Sequence, residues 1–469
     1  MDGTVKRTCA VNGTKVLTDS RHGTEGVTAS LTTLLSPPDD VTVNPTVNAP
    51  QSEMDKLDIS PPPLQKREKN IWIVVRAFTP AYVYTLPFPL APHILTWSLE
   101  GRVVIEPPVN MGTGIVSILL HNLPYNGAWL YWISVIFFVL NLTLFILFTF
   151  ISALRYLIYP GLFMTMIRHS AVPLLLGAFP IALSTIVEMI VLVCVPAWGP
   201  WTVTLAWTLW WIDAAISIII CYWIPFVIMH THDIKLATLS ATWLLPIAAP
   251  IVASAVGAVV AEVLENEQHA LWTLITSYFL WGTAMPLSLT CLVIFYQRLS
   301  MHNLPPPEAI VTMFLPVAPL GQGGYAIMQL GKVAAEVFPK TGTLSKMGTH
   351  SGEILYVIGW IVGFIMWANG LAWIFFALAS ISRRKFPFNI GWWGFTFPLG
   401  VWSGATIAIG QELPSRFFDV LGTIASVIVT LLWIMVAIGT IRKIVDGKIF
   451  LAPDFEQWKK KKTQATEAE

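Results

Sequence analysis

The stretch Gly391–Gly410, GWWGFTFPLGVWSGATIAIG, has the composition of a membrane helix but distributes its side-chain sizes unevenly. On a helix, with about 100° per residue, the small side chains share one face: Gly394, Val401, Gly404 and Ala408. The bulky side chains share the opposite face: Trp392, Phe395, Leu399 and Trp402. Phe397 is a phenyl ring in the middle of the small face. A small face lets another group come close, so the ring at position 397 needs a specific explanation.

The composition of the whole chain is that of a membrane protein. Of 469 residues, 55% are hydrophobic and only 12% are charged, whereas about 25% of the residues of soluble domains are charged. The formal net charge of +1 gives no reason to expect a nucleic-acid partner. Three of the four cysteines, Cys194, Cys221 and Cys291, lie in apolar stretches, so no disulfide framework is expected.

Both ends of the chain have the composition of tails. Residues 1–70 are rich in Thr, Ser, Pro and Asp and poor in aromatic residues, which predicts a disordered cytosolic tail. They lack the apolar core of a signal peptide. Residues 443–469 are predicted to be a cytosolic C-terminal tail that ends near the basic run Lys459–Lys462.

Apolar segments of about 20 residues mark membrane helices, and they predict a ten-helix domain over 104–442. The predicted helices are 104–122, 128–153, 172–195, 201–229, 237–261, 270–296, 307–331, 353–381, 388–411 and 416–441. The loops after helices two, four, six and eight carry Lys or Arg, whereas those after one, three and five carry none. The loop after helix seven is an exception. The positive-inside rule still favours cytosolic termini, which an even number of helices requires.

The odd-numbered helices share a proline amid small residues. The motifs are FPIALS (Phe179–Ser184), LPIAAP (Leu245–Pro250), LPVAPLGQGG (Leu315–Gly324) and FPLG (Phe397–Gly400). Their prolines at 180, 246, 316 and 398 lie 66, 70 and 82 residues apart, which indicates a helical hairpin repeated five times. Proline frees backbone groups that need protein or water as partners. The odd helices are therefore predicted to surround a central pore, with the bulkier even helices facing lipid.

The segment before the first helix is irregular over 71–109. Phe78-Thr-Pro80 resembles the repeated motif, yet Pro80 lies 100 residues before Pro180. Removing the 28 residues Tyr82–Val109 restores an interval of 72. This segment is therefore interpreted as an insertion that does not cross the membrane.

The expected pore lacks fixed cations, because the odd helices as bounded above contain no Lys or Arg. Its predicted lining consists mostly of small residues and prolines: Gly112, Gly114, Pro180, Pro246, Pro316, Gly394, Val401, Gly404 and Ala408. Backbone amides and helix N-termini can hold an anion weakly in such a pore. On this interpretation Phe397 plugs the lumen as a gate. The alternative is ordinary packing of the ring against a neighbour.

Few residues in the predicted helices could carry further chemistry. Glu188 is a candidate for proton-linked transport, and the alternative is a hydrogen bond that fixes packing. Packing is the favoured interpretation for Asp213. His230, His232 and Asp233 share a short loop without a third spaced ligand, so no metal site is predicted. No cofactor, phosphate-binding loop or catalytic set stands out, which argues against an enzyme.

Several motifs resemble the tellurite-resistance/C4-dicarboxylate transporter family, to which slow anion channels belong. They are Met111-Gly-Thr-Gly-Ile115, Phe179-Pro-Ile181, Trp243-Leu-Leu-Pro246 and Trp392-Trp-Gly-Phe-Thr-Phe-Pro398. Met111–Tyr125 is especially similar to fungal sulfite efflux pumps and malate permeases. The resemblance implies five hairpins around a pore, commonly a homotrimer, and an occluding phenylalanine that matches Phe397.

Sulfite export across the plasma membrane is the leading functional hypothesis, because a small anion needs fewer countercharges than a dicarboxylate. Proton-coupled malate or dicarboxylate uptake is the alternative, and a cluster of basic residues facing the lumen would favour it. A regulated anion channel is the third hypothesis, since the Ser- and Thr-rich tail offers phosphorylation sites. The expected partners are a small inorganic anion and the lipid bilayer.

Overall fold

The computed structural model describes residues 109–158, 161–169, 172–231, 235–348, 350–413 and 415–445. Within these ranges the regular structure is helical and contains no strand, which confirms the all-α fold class. The N-terminal tail at 1–70, residues 82–108 of the predicted insertion and the tail from 446 onward lie outside the described residues.

Ten principal helices follow one another along the described chain. They are α1 Val109–His121, α2 Ala128–Ile158, α3 Ala178–Met189, α4 Pro200–Thr231, α5 Leu244–Glu262, α6 Glu267–His302, α7 Val317–Thr341, α8 Ser351–Ser382, α9 Thr396–Glu412 and α10 Arg416–Val445. A π-helical segment, Ile190–Cys194, continues α3 toward a short helix, Val195–Trp198.

Among the described residues, eight helical segments are long and apolar enough to cross a membrane. They are Ala128–Phe150, Val172–Trp198, Pro200–Thr231, Ala241–Glu262, Glu267–His302, Pro307–Thr341, Ser351–Ser382 and Arg416–Ile444. At the positions of the first and ninth predicted helices, α1 and α9 have 13 and 17 residues. The predicted end of helix seven at residue 331 is too early. Because α7 continues to Thr341, Lys332 and Lys340 belong to the helix and not to the following loop.

The repeated prolines mark the starts of α-helices. A 3-10 segment precedes each of four odd helices: Val172–Gly177, Ala241–Trp243, Pro307–Phe314 and Ile390–Phe395. Pro180, Pro246 and Pro398 are third residues of their helices, and Pro316 directly precedes α7. The first four N–H groups of a helix have no intrahelical acceptor, so proline costs no backbone hydrogen bond there. The four repeated prolines therefore lie at or near junctions between 3-10 and α-helix.

The odd helices pack against one another in a closed ring. In ring order, α1 contacts α3, α3 contacts α5, α5 contacts α7, α7 contacts α9, and α9 returns to α1. Each odd helix also packs against the even helix that follows it in sequence. The odd spans Val172–Trp198, Ala241–Glu262 and Pro307–Thr341 are 83%, 100% and 89% buried over their apolar windows. The even spans are only 28–33% buried and present apolar side chains outward.

A hydrogen bond joins every even helix to the next odd helix around the ring. In α4, α6, α8 and α10 the donor is a tryptophan indole, and in α2 it is the Asn141 amide. The bonds are Asn141 to Thr185 (3.2 Å), Trp210 to the Ala253 carbonyl (2.8 Å), Trp281 to the Gly323 carbonyl (2.9 Å), Trp367 to Thr406 (2.8 Å) and Trp433 to Thr113 (3.0 Å). A buried indole N–H needs an acceptor, so these bonds orient the outer helices on the ring.

Substituting Gly321 with alanine is expected to destabilise the fold by about 1–3 kcal/mol, the usual cost of overpacking a core. A Cβ at Gly321 of α7 would lie 2.7 Å from the Trp402 backbone nitrogen of α9. That atom belongs to a helix backbone and cannot rotate away. The thermal unfolding midpoint in detergent, followed by tryptophan fluorescence, measures the loss. Gly282→Ala is the control, because a Cβ there meets no atom within 4 Å, and an equal loss in both variants would contradict the argument.

Candidate functional site

The five odd helices surround a cavity of about 130 Å³, which lies beside the C-terminal parts of α1, α3, α5 and α9 and the first half of α7. This volume holds a small anion with a few water molecules. Each odd helix, or the turn directly after it, contributes to the wall. The lining residues are Ile115, Ile118, Leu119, Asn122, Glu188, Leu192, Val259, Glu262, Gln322, Tyr325, Gln329, Val401, Gly404, Ile407, Ala408 and Gln411.

The polar part of the wall is formed mainly by one face of α7. Gln322, Tyr325 and Gln329 are spaced three and four residues apart, so they stack along the helix toward its C-terminus. The Gln329 amide donates to the Tyr325 hydroxyl at 3.2 Å. Gln411 of α9 and Asn122 after α1 add two more amides to the cavity. Neutral amide groups can donate hydrogen bonds to an oxyanion without adding a fixed charge.

The charged residues of the wall are two carboxylates. Glu188 of α3 is 5% exposed and lies deep in the cavity, whereas Glu262 is exposed at the end of α5. Tyr325 interacts electrostatically with both of them. Within the described chain, Glu188 is buried without a hydrogen bond or counterion. The lining residues include no Lys or Arg.

Asp213 lies outside this cavity, between an outer and an inner helix. It is fully buried on α4, where its Oδ2 accepts a hydrogen bond from the Ser184 hydroxyl of α3. Its Oδ1 has no partner among the described residues. This contact fits the packing interpretation of Asp213 and holds it apart from the cavity.

Phe397 lies on α9, N-terminal to the residues of that helix that line the cavity. It precedes Val401 by one helical turn and is 2% exposed, in the first turn of α9. Val401, Gly404 and Ala408 line the cavity on the same face. A Cβ at Gly404 would meet no atom within 4 Å, so this glycine borders open space.

The other residues of the predicted lining lie outside this cavity. Pro180, Pro246 and Pro316 are at the opposite ends of their helices. A Cβ at Gly394 would meet Val311 at 3.5 Å. Gly112 faces Thr396 of α9, and Gly114 faces Thr185 of α3, with clashes at 2.3 and 2.1 Å for an added Cβ. These two glycines allow α1 to approach its ring neighbours closely.

The amide and hydroxyl groups of α7 were not predicted as site residues. Their spacing was the available signal, because three polar side chains on one face of the otherwise apolar stretch Val317–Gly331 indicate a polar surface. Nor is a metal centre found: within the described ranges no three His, Cys, Asp or Glu side chains group closely enough to hold an ion. His230 stacks on Phe226 at the end of α4, and His232 and Asp233 lie outside the described residues.

Eight apolar spans and a ring of buried helices around a cavity define a multi-pass membrane transport protein. Residues 108–441 match the SLAC1 family, described as voltage-dependent anion channels. The chain belongs to this family of transporters and channels, which confirms the resemblance seen in the sequence motifs.

Curated relatives fall into two groups by identity. A sulfite efflux pump, SSU1, of Arthroderma benhamiae is 51% identical over 342 residues, which cover 73% of this chain and 90% of the relative. A malic acid transport protein of Schizosaccharomyces pombe is 26% identical over 361 residues, covering 74% and 79%. SSU1 of Saccharomyces cerevisiae is 25% identical over 376 residues, covering 67% and 81%.

Proposed function

We propose that this protein exports sulfite across the plasma membrane through a central pore gated by Phe397. The observation that carries the proposal is the 51% identity to proteins named sulfite efflux pumps, over 90% of their length. The malic acid transport protein is similar at only 26%. A cavity without Lys or Arg also favours a small anion over a dicarboxylate, whose two ends each call for a countercharge.

The direction of the inner helices supports anion transport. The cavity lies beside the C-terminal parts of α1, α3, α5 and α9, so the N-termini of these four helices lie at the other end of the ring. Helix N-termini carry partial positive charge and favour anions. An anion would enter among these N-termini, pass the ring of Phe397 and leave through the polar cavity. Binding without a fixed cation is weak, which suits rapid release.

The proposed membrane arrangement has ten spans in five hairpins, with both termini in the cytosol. The closed ring and the distribution of basic loop residues support it. The cavity would then open to the outside and Phe397 would lie toward the cytosol. We propose a homotrimer on family resemblance alone. Residues 82–109 are proposed to be an insertion on the cytosolic side.

The first test is anion flux into proteoliposomes, comparing sulfite with malate at matched pH and voltage. Sulfite flux is expected to exceed malate flux many-fold. Protein-free vesicles give the passive leak, which matters because neutral sulfur dioxide crosses bilayers unaided. Malate flux equal to or above sulfite flux would replace sulfite export with the dicarboxylate alternative. Absence of both fluxes would favour a channel that is closed without a regulatory signal.

A further inference from the structure

The cavity wall has the opposite charge from that expected for an anion pathway. Rings of Asp and Glu are typical of cation pores, and Lys and Arg of anion pores. Here the charged lining residues are Glu188 and Glu262, and the remaining polar groups are neutral amides and the Tyr325 hydroxyl. Once these carboxyl groups are ionised, an anion in this cavity experiences repulsion that grows with its own charge.

We infer, on the basis of the proposed sulfite transport, that Glu188 and Glu262 select a singly charged, protonated anion. The transported species is then hydrogen sulfite rather than the sulfite dianion. A dianion meets twice the repulsion from each carboxylate. It also lacks a proton to donate to the buried, unpartnered oxygens of Glu188.

Hydrogen sulfite complements this wall in its hydrogen bonding as well. An ionised carboxylate only accepts hydrogen bonds, whereas an amide N–H donates. Where Glu188 is ionised, the proton of hydrogen sulfite pairs with it, and the negative oxygens of the anion accept from the amides of Gln322 on α7 and Gln411 on α9. No proton is transferred in this contact, so the anion crosses with the proton that it carried on entry.

Several other titratable groups around α3 lie outside the cavity lining. Asp213 is bonded to Ser184, one turn away on α3, and lies behind the cavity wall. His121 at the end of α1 packs against Tyr131 of α2 at 5.9 Å. The groups that line the cavity with Glu188 are Glu262 of α5 and Tyr325 of α7. Thiols occur nearby in sequence or on a packed helix: Cys194 after α3 and Cys221 on α4.

The test compares sulfite with methanesulfinate, a similar anion that stays singly charged from mildly acidic to mildly alkaline pH. Flux is measured at fixed total concentration in proteoliposomes, with protein-free vesicles as the leak control. Sulfite flux of the wild type is expected to fall as hydrogen sulfite ionises, and methanesulfinate flux to fall much less, because its own charge does not change with pH. Glu188→Gln is expected to raise sulfite flux several-fold at alkaline pH. The neutral amide does not repel the sulfite dianion and can donate a hydrogen bond to it.

Two further variants keep the test decisive. Glu262→Gln should have a smaller effect in the same direction, since Glu262 is exposed to solvent, which screens its charge. Glu265→Gln, an exposed acidic residue outside the lining, should have none. Sulfite flux that is level with pH, or methanesulfinate flux that falls in parallel, would overturn the inference alone. Absence of both fluxes at every pH would instead overturn the proposed function.

Discussion

Replacing Phe397 with alanine is expected to raise sulfite flux about tenfold or more, equivalent to removing roughly 1.4 kcal/mol from the barrier. The ring lies one helical turn before Val401 in sequence. It is on the same face of α9 as Val401, Gly404 and Ala408, which line the cavity. It is 2% exposed and directly continues the column of small side chains. Removing the ring therefore extends the cavity toward the N-terminal ends of the odd helices. Flux into proteoliposomes, normalised to inserted protein, is the measurement.

Phe395→Ala is the matched control for this experiment. Phe395 is two residues away and equally aromatic, but it packs edge-on against Phe314 with ring centroids 4.9 Å apart. Its removal should lower thermal stability without opening the pathway. A buried phenylalanine replaced by alanine costs about 3–5 kcal/mol in a core, so folding of both variants is checked by size-exclusion chromatography. Equal flux in wild type and well-folded Phe397→Ala would contradict the gate and mean that the ring only packs against its neighbours.

The alternation of inner and outer helices could be predicted from sequence because it depends on local composition. Small residues and proline permit close packing or a cavity, whereas Trp, Phe and Ile tolerate lipid. The prolines were placed in the correct helices, but their position at the start of each α-helix was not predicted. Whether a proline interrupts a helix or begins one depends on the 3-10 segment before it, which has no distinct composition here.

The roles of individual glycines could not be predicted, because a glycine serves both close packing and an open lumen. Gly114 faces Thr185 across a tight contact, whereas Gly404 faces open space. The difference depends on which helix lies opposite, and the sequence of one helix does not contain that information. The indole bonds are similar: Trp433 donates to Thr113, more than three hundred residues earlier in the chain.

Replacing Gly404 with leucine is expected to reduce sulfite flux at least tenfold, the effect of adding about 1.4 kcal/mol to the barrier. A Cβ at this position meets nothing within 4 Å, so the new side chain enters the cavity without displacing a neighbour. The fold should therefore be retained, and the unfolding midpoint should stay close to that of the wild type. Gly282→Leu on α6 is the control, since it also adds leucine at an open and exposed glycine, away from the cavity.

The double variant Phe397→Ala/Gly404→Leu tests whether the two positions act on one path. Residues 397 and 404 lie on the same face of α9, two turns apart, so a single pore would pass both in series. In a series pathway the narrower point limits the flux. The leucine block should then persist in the double variant although the phenyl ring is absent. Flux as high as in Phe397→Ala alone would mean that anions bypass the cavity, and the proposed path through the ring of odd helices would be wrong.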